Sequence, residues 1–126
     1  MRVVDTSAWI EWLRDSELGR KVDPEIPAQD AWIVPTIVQY ELARWLARQV
    51  SVEAAGSAIA FSNTCVVTPL DTALALKAAE VADQHALAMA DAIIYATAMA
   101  AGADLLTCDA HFADLPHVVH LPRGAA

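Results

Sequence analysis

Four carboxylates, Asp5, Glu41, Asp91 and Asp109, are the residues of this chain best placed to do chemistry together. Asp5 follows the β-branched run Arg2-Val3-Val4, and Asp109 follows Leu105-Leu106-Thr107-Cys108. Glu41 lies in the first turns of a helical run that opens after Trp32-Ile33-Val34-Pro35, and Asp91 near the start of an almost wholly apolar one. In an open parallel sheet, residues just beyond the carboxyl ends of the strands meet along one edge. Carboxylates gathered there repel and raise one another's pKa. Lysine offers little relief, being present only as Lys21 and Lys77. A hard divalent cation, Mg²⁺ or Mn²⁺, takes oxygen ligands and would resolve the repulsion. It would also activate a water molecule and stabilise charge on a phosphoryl group in transfer.

Each acid also has an ordinary explanation when taken alone. Asp5 opens the capping cluster Asp5-Thr6-Ser7, although Thr6 or Ser7 could cap without it. Asp91 would be favoured by a helix dipole. Glu41 could be a solvated residue paired with Arg44, and Asp109 a turn residue. A carboxylate in the apolar run Ala90-Asp91-Ala92-Ile93-Ile94-Tyr95 is nevertheless costly unless paired, hydrogen-bonded or metal-bound. The convergence of all four on one sheet edge is what favours a joint role. Of the four histidines, none forms an HxxxH or HExxH spacing; His111, close to Asp109, could be a neighbour of the site.

The elements that must position these acids are short β-like runs separated by helical ones. Strands are expected at Arg2–Val4, Trp32–Val34, Cys65–Val67, Leu105–Thr107 and, weakly, Val118–Val119. Helices are expected at Ala8–Leu13, with Trp9, Ile10 and Leu13 inward, and from a Thr36 cap to Gln49, with Val38, Leu42, Trp45 and Leu46 on one stripe. Further helices follow from Val52 to Ser62 after a Ser51 cap, from Asp71 or Thr72 to Gln84, and from Met89 to Ala101, stopped by Gly102. The charged, proline-containing stretch Asp15–Gln29 reads as loop with one helical turn, and Asp109–Leu115 as a short turn or helix. Short β-branched strands alternating with helices define an α/β class with a parallel sheet covered on both faces.

A chain of 126 residues with 56% hydrophobic and 19% charged residues excludes intrinsic disorder and suits one domain, residues 1–126. The net charge of −8 gives no general attraction for phosphate backbones, so a polyanion substrate needs a local cation. Cys65 and Cys108 form no metal or redox spacing and read as buried free thiols of a cytoplasmic protein. Asp5 interrupts any signal-peptide core, and the alanine-rich stretch Ala86–Ala103 contains Asp91 and is a buried helix rather than a membrane span.

Val4-Asp5-Thr6-Ser7-Ala8, Glu41 within Val38-Gln39-Tyr40-Glu41-Leu42, Asp91-Ala92-Ile93-Ile94-Tyr95-Ala96-Thr97-Ala98 and Leu105-Leu106-Thr107-Cys108-Asp109 together resemble the PIN domain, and within it the ribonuclease toxins of the VapC type. The likeness runs from Val3 to about Phe112; its strength lies in the ordered set, since no single motif is specific. It implies a three-layer α/β/α sandwich with a parallel sheet of about five strands. It implies a Mg²⁺- or Mn²⁺-dependent endoribonuclease acting on transfer RNA or another structured RNA, a cognate VapB-like antitoxin, and a homodimer. Asp5, Glu41, Asp91 and Asp109 match the acidic quartet, with Thr6 and Thr107 as supporting hydroxyls and Asp114 as an alternative fourth acid.

Arg44 and Arg48, one helical turn apart, could contact phosphates or simply face solvent. Trp9, Trp12, Trp32 and Trp45 are core residues or, where exposed, a groove for an antitoxin helix. Alanine-rich helices could supply a dimer face. A non-catalytic PIN-like scaffold binding RNA or protein is the alternative reading. A receiver domain would need a phosphoacceptor Asp after the third strand and a late Lys, and a haloacid-dehalogenase fold would need an Asp where Ser7 stands.

Overall fold

A computed structural model of the chain describes residues 1–124. Five parallel strands, β1 (Arg2–Val4), β2 (Trp32–Pro35), β3 (Val66–Thr68), β4 (Asp104–Thr107) and β5 (Val118–His120), form one sheet in the order β3-β2-β1-β4-β5. In register, Val3 faces Ile33 on one side and Leu105 on the other. Val3 and Val4 point to opposite faces of the pleat, and both are fully buried. Both faces of the central strand are therefore covered, as the β-branched strands required.

Among the described residues six α-helices do the covering: α1 (Thr6–Arg14), α2 (Glu17–Val22), α3 (Thr36–Gln49), α4 (Val52–Ser62), α5 (Thr72–His85) and α6 (Met89–Ala100). They pack as consecutive pairs, α1 with α2, α3 with α4 and α5 with α6. Helix α6 is the central one. Every residue from Ala92 to Ala98 is buried, and the helix touches β1, β2 and β4. The positive φ of Gly102 (62°) turns the chain from α6 into β4. No helix among the described residues is long and apolar enough to cross a membrane.

Several expectations shift. The charged stretch after Asp15 holds a helix, α2, rather than a single turn. Ser16 caps it by accepting from the Gly19 N–H at 2.9 Å, and its polar side faces solvent, so the apolar periodicity was too sparse to read. Leu13 is exposed instead of inward. Thr36 is the first helical residue, not a side-chain cap, and its Oγ1 accepts the Leu70 N–H at 3.3 Å. Strand β3 begins at Val66 instead of Cys65 because Val66 to Thr68 are the residues registered against Ile33 to Pro35.

Two close contacts hold this frame away from the carboxyl-end edge. Arg2 grips Asp104 through Nε and Nη2 at 2.8 and 3.0 Å and donates Nη1 to the Glu25 backbone oxygen at 2.8 Å. The bidentate pair couples β1 to β4 and holds the Asp104 carboxyl below its ordinary range. Gly19 sits directly on α1: a Cβ there would lie 2.0 Å from the Glu11 carbonyl oxygen. Gly19→Ala must push α2 off α1, and we expect it to destabilise the chain by about 1–3 kcal/mol. Urea unfolding of the two proteins measures this; coincident midpoints would refute it.

Candidate active site

The chain runs from β1 outward to β2 and β3, then crosses back to β4 and β5 on the other side. The order reverses between β1 and β4, and a crevice at their carboxyl ends is where open α/β sheets bind ligands. Asp5 and the β4–β5 connection meet there. The Asp5 N–H extends the ladder by donating to the Leu106 carbonyl at 2.8 Å, which carries the Asp5 side chain into the crevice.

Asp5 stands at the N-cap position of α1, yet its side chain caps nothing. Only 4% of the residue is exposed. Ser7 Oγ donates to Asp5 Oδ2 at 2.6 Å, and Thr107 Oγ1 donates to the same oxygen at 2.8 Å. Each hydroxyl in turn accepts a backbone N–H from the end of β4: Cys108 to Ser7 at 3.0 Å, and Asp109 to Thr107 at 2.9 Å. Those amides fix the hydroxyl protons toward Asp5. Oδ1 receives no donor from the described residues. Burial pushes the Asp5 carboxyl up to about 6; the two hydroxyls oppose the rise, and the charges of Asp91 and Asp109 add to it. Desolvation is thus the leading cause, ahead of the repulsion expected from clustering alone.

Asp91 lies in the first turn of α6, where the dipole favours it, but its carboxylate turns to His111. His111 Nδ1 stands 3.0 Å from Asp91 Oδ2 and 3.3 Å from Asp109 Oδ1. The same Asp109 oxygen accepts the His111 N–H at 2.9 Å and caps the short 3₁₀ turn Ala110–Phe112. Asp91 is raised by burial and by Asp109, against the hydrogen bond from His111. His111 is raised by that bond and by the Asp109 charge.

The structure therefore brings Asp5, Asp91 and Asp109 together. Glu41 stands to the side: it accepts from Thr6 Oγ1 at 2.6 Å, and no hydrogen bond joins it to the other acids. Thr6 supports Glu41, whereas Thr107 supports Asp5. Asp114 is exposed and outside the cluster. Two contributors carried little weight in the sequence. Ser7, directly past Thr6, could have been found because a hydroxyl in the first turn of α1 faces back to the strand end. His111 is a full partner of two acids rather than a bystander.

Ligand atoms of Asp91, Asp109 and His111 all lie within 4.8 Å of one another. Asp5 lies outside that group, though the charges of Asp91 and Asp109 reach it; the donors are mostly hard carboxylate oxygens, which fit Mg²⁺ or Mn²⁺, and the single imidazole is no obstacle to Mn²⁺. Ser7→Ala removes one donor to Asp5 and orphans the Cys108 amide. It should cost about 1–3 kcal/mol in thermal or urea unfolding; an unchanged midpoint would show that the hydroxyl network is not holding this corner.

The chain belongs to the PIN domain family, whose model matches residues 2–118. No curated protein matches it in sequence. Among solved structures it is similar to a toxin-antitoxin complex from Klebsiella pneumoniae, with 21% identity, 94% of this chain and 96% of that chain covered, and a TM-score of 0.80. It is also similar to VapC20 of Mycobacterium tuberculosis, described as a sarcin-ricin loop cleaving toxin, with 20% identity, 98% and 100% covered, and a TM-score of 0.78. A third is the DNA-bound VapBC of Salmonella typhimurium, with 17% identity, 96% of each chain covered and a TM-score of 0.72. At these identities the likeness establishes the fold.

Proposed function

We propose that residues 1–126 form one domain acting as a metal-dependent endoribonuclease toxin of the VapC type, cutting phosphodiester bonds in transfer RNA or another structured RNA in the cytoplasm. The observation that carries this reading is the buried Asp5 carboxylate, hydrogen-bonded on one oxygen, without a donor from the described residues on the other, and within electrostatic reach of the Asp91–Asp109–His111 cluster. A fold has no use for such a concentration of negative charge, and a divalent cation does. Asp5, Asp91 and Asp109 would hold that cation, with Glu41 at the flank. When bound, it supplies a Lewis acid for the scissile phosphate and an activated water. The protein's own part is orientation. Ser7 and Thr107 hold Asp5 in one rotamer, Thr6 holds Glu41, and His111 holds the Asp91 and Asp109 carboxylates against each other.

One of the named neighbours is a toxin-antitoxin complex, and an apolar cavity of about 600 Å³ suits such a partner. It lies between α1 and the α3–α4 pair, lined among others by Trp12, Leu13, Trp45, Leu46 and Phe61. The exposed Leu13 rims it, which accounts for its outward position. We assign this groove to an apolar helix of a VapB-like antitoxin, and a homodimer to the assembled toxin. Incubation of purified protein with transfer RNA in Mg²⁺ or Mn²⁺ tests the activity. Discrete cleavage that EDTA abolishes is expected; no cleavage under any divalent ion would leave the chain a binding scaffold.

A further inference from the structure

We propose that His111 is itself a ligand of the cation, and that its imidazole, beside Asp91 and Asp109, biases the centre toward Mn²⁺ over Mg²⁺. The proposal rests on the metal-dependent reading of the site and adds a nitrogen to it. An acidic quartet would draw a further ligand from Glu41 or from Asp114. Neither belongs to the compact group of donors: Glu41 is held by Thr6, and Asp114 is exposed and apart. The residue that does join Asp91 and Asp109 there is His111. The other three histidines, His85, His117 and His120, enter no such group among the described residues.

The spacing suits coordination. Atoms on adjacent corners of an octahedron with bonds of about 2.1 Å stand about 3.0 Å apart. His111 Nδ1 is 3.0 Å from Asp91 Oδ2 and 3.3 Å from Asp109 Oδ1. The nitrogen and the two oxygens thus already hold the separations of neighbouring ligands. The turn that carries His111 is fixed on both sides. Asp109 is anchored by its N–H to Thr107 Oγ1 at 2.9 Å, and its Oδ1 accepts the His111 N–H at 2.9 Å. Phe112, the next residue, is fully buried. An exposed side chain is therefore set on a rigid support and aimed at two carboxylates. The His111 side chain is otherwise 69% exposed, so its second nitrogen, Nε2, can keep water as a partner, as a ligating imidazole requires. Mg²⁺ keeps to oxygen and holds its waters, whereas Mn²⁺ accepts a mixed shell of oxygen and nitrogen. One imidazole among the donors therefore separates the two ions more than carboxylates alone.

The test measures Mn²⁺ and Mg²⁺ binding to the full chain by titration calorimetry, without RNA, and reads the Mn²⁺ complex by electron spin-echo modulation. The parent protein should show modulation from a directly bonded nitrogen, and labelling its histidines with ¹⁵N should change that signal. His111→Ala should abolish it, weaken Mn²⁺ binding by at least about tenfold and weaken Mg²⁺ binding by no more than about threefold. His111→Asp, which offers oxygen in place of nitrogen, should also lack the signal and should bind Mg²⁺ more tightly than the parent does. Mn²⁺ bound by the parent without a nitrogen signal would overturn the proposal. So would Mn²⁺ affinity that is unchanged or raised in His111→Ala. The ring would then be a counter-ion that the metal displaces, and the metal-dependent reading would stand. Failure of the parent to bind either ion would remove that reading and the proposal with it. Circular dichroism of the two variants confirms that each is folded.

Discussion

Asp5→Asn is expected to lower RNA cleavage by a factor on the order of 10²–10³ in saturating Mg²⁺ while leaving the fold intact. The amide oxygen can still accept from Ser7 and Thr107, so the hydroxyl network survives. What disappears is the negative charge on the open side of the group, where a cation would bind. Asp91→Asn should act similarly, because it removes a charge from the cluster with Asp109 and His111. Glu41→Gln should cost less, since Glu41 is held by Thr6 and makes no hydrogen bond to the other acids. Initial rates on a labelled RNA, with circular dichroism to confirm folding, measure all three. Wild-type activity in Asp5→Asn would remove this carboxylate from the mechanism.

The second large effect is on stability. The folded pKa of Asp5 is about 6, above its ordinary value of 3.8. A carboxyl raised in this direction contributes stability that is whole below 3.8 and is lost as pH rises through about 6. The difference is worth on the order of 3 kcal/mol for a group so deeply buried. Asparagine does not titrate. In EDTA, therefore, the stability of Asp5→Asn relative to the parent should grow by roughly that amount between about pH 4 and about pH 7.5. A divalent cation should close the gap at the higher pH and do little at the lower, since it must compete with the proton. Parallel pH profiles of the two proteins in urea would refute both the burial and its coupling to metal. A gain in stability on losing a carboxylate is the signature of a group kept for its chemistry.

Much of this arrangement was legible in the sequence. Val3 and Val4 announce a buried strand because β-branched residues with no polar alternation fit only a sheet covered on both faces. The acids at strand ends followed from the same pattern, and three of the four do converge. Glu41 was harder to place, because its position depends on where around α3 it projects, and periodicity alone does not give the rotation of a helix against the sheet. His111 and Ser7 were underweighted for a related reason: their roles come from the 3₁₀ turn after β4 and from amides at the end of that strand, neither of which leaves a periodic trace. Helix α2 was hidden by its solvent-facing residues, and only its buried Gly19 and Val22, with the Ser16 cap, mark it.

The aromatic residues beneath the apolar groove have a practical consequence. Trp9, Trp12, Trp32 and Phe61 pack into one nest, with Trp9 and Trp32 ring centroids 4.4 Å apart and Trp12 5.9 Å from Phe61. Trp12 and Phe61 also line the groove, and Trp45 sits on its far wall. Indole emission is sensitive to local polarity and to neighbouring indoles, so the protein carries its own optical gauge. If an apolar partner helix enters the groove as proposed, its displacement of water should alter the spectrum of the native chain, and the strength of that association could be titrated without attaching any dye.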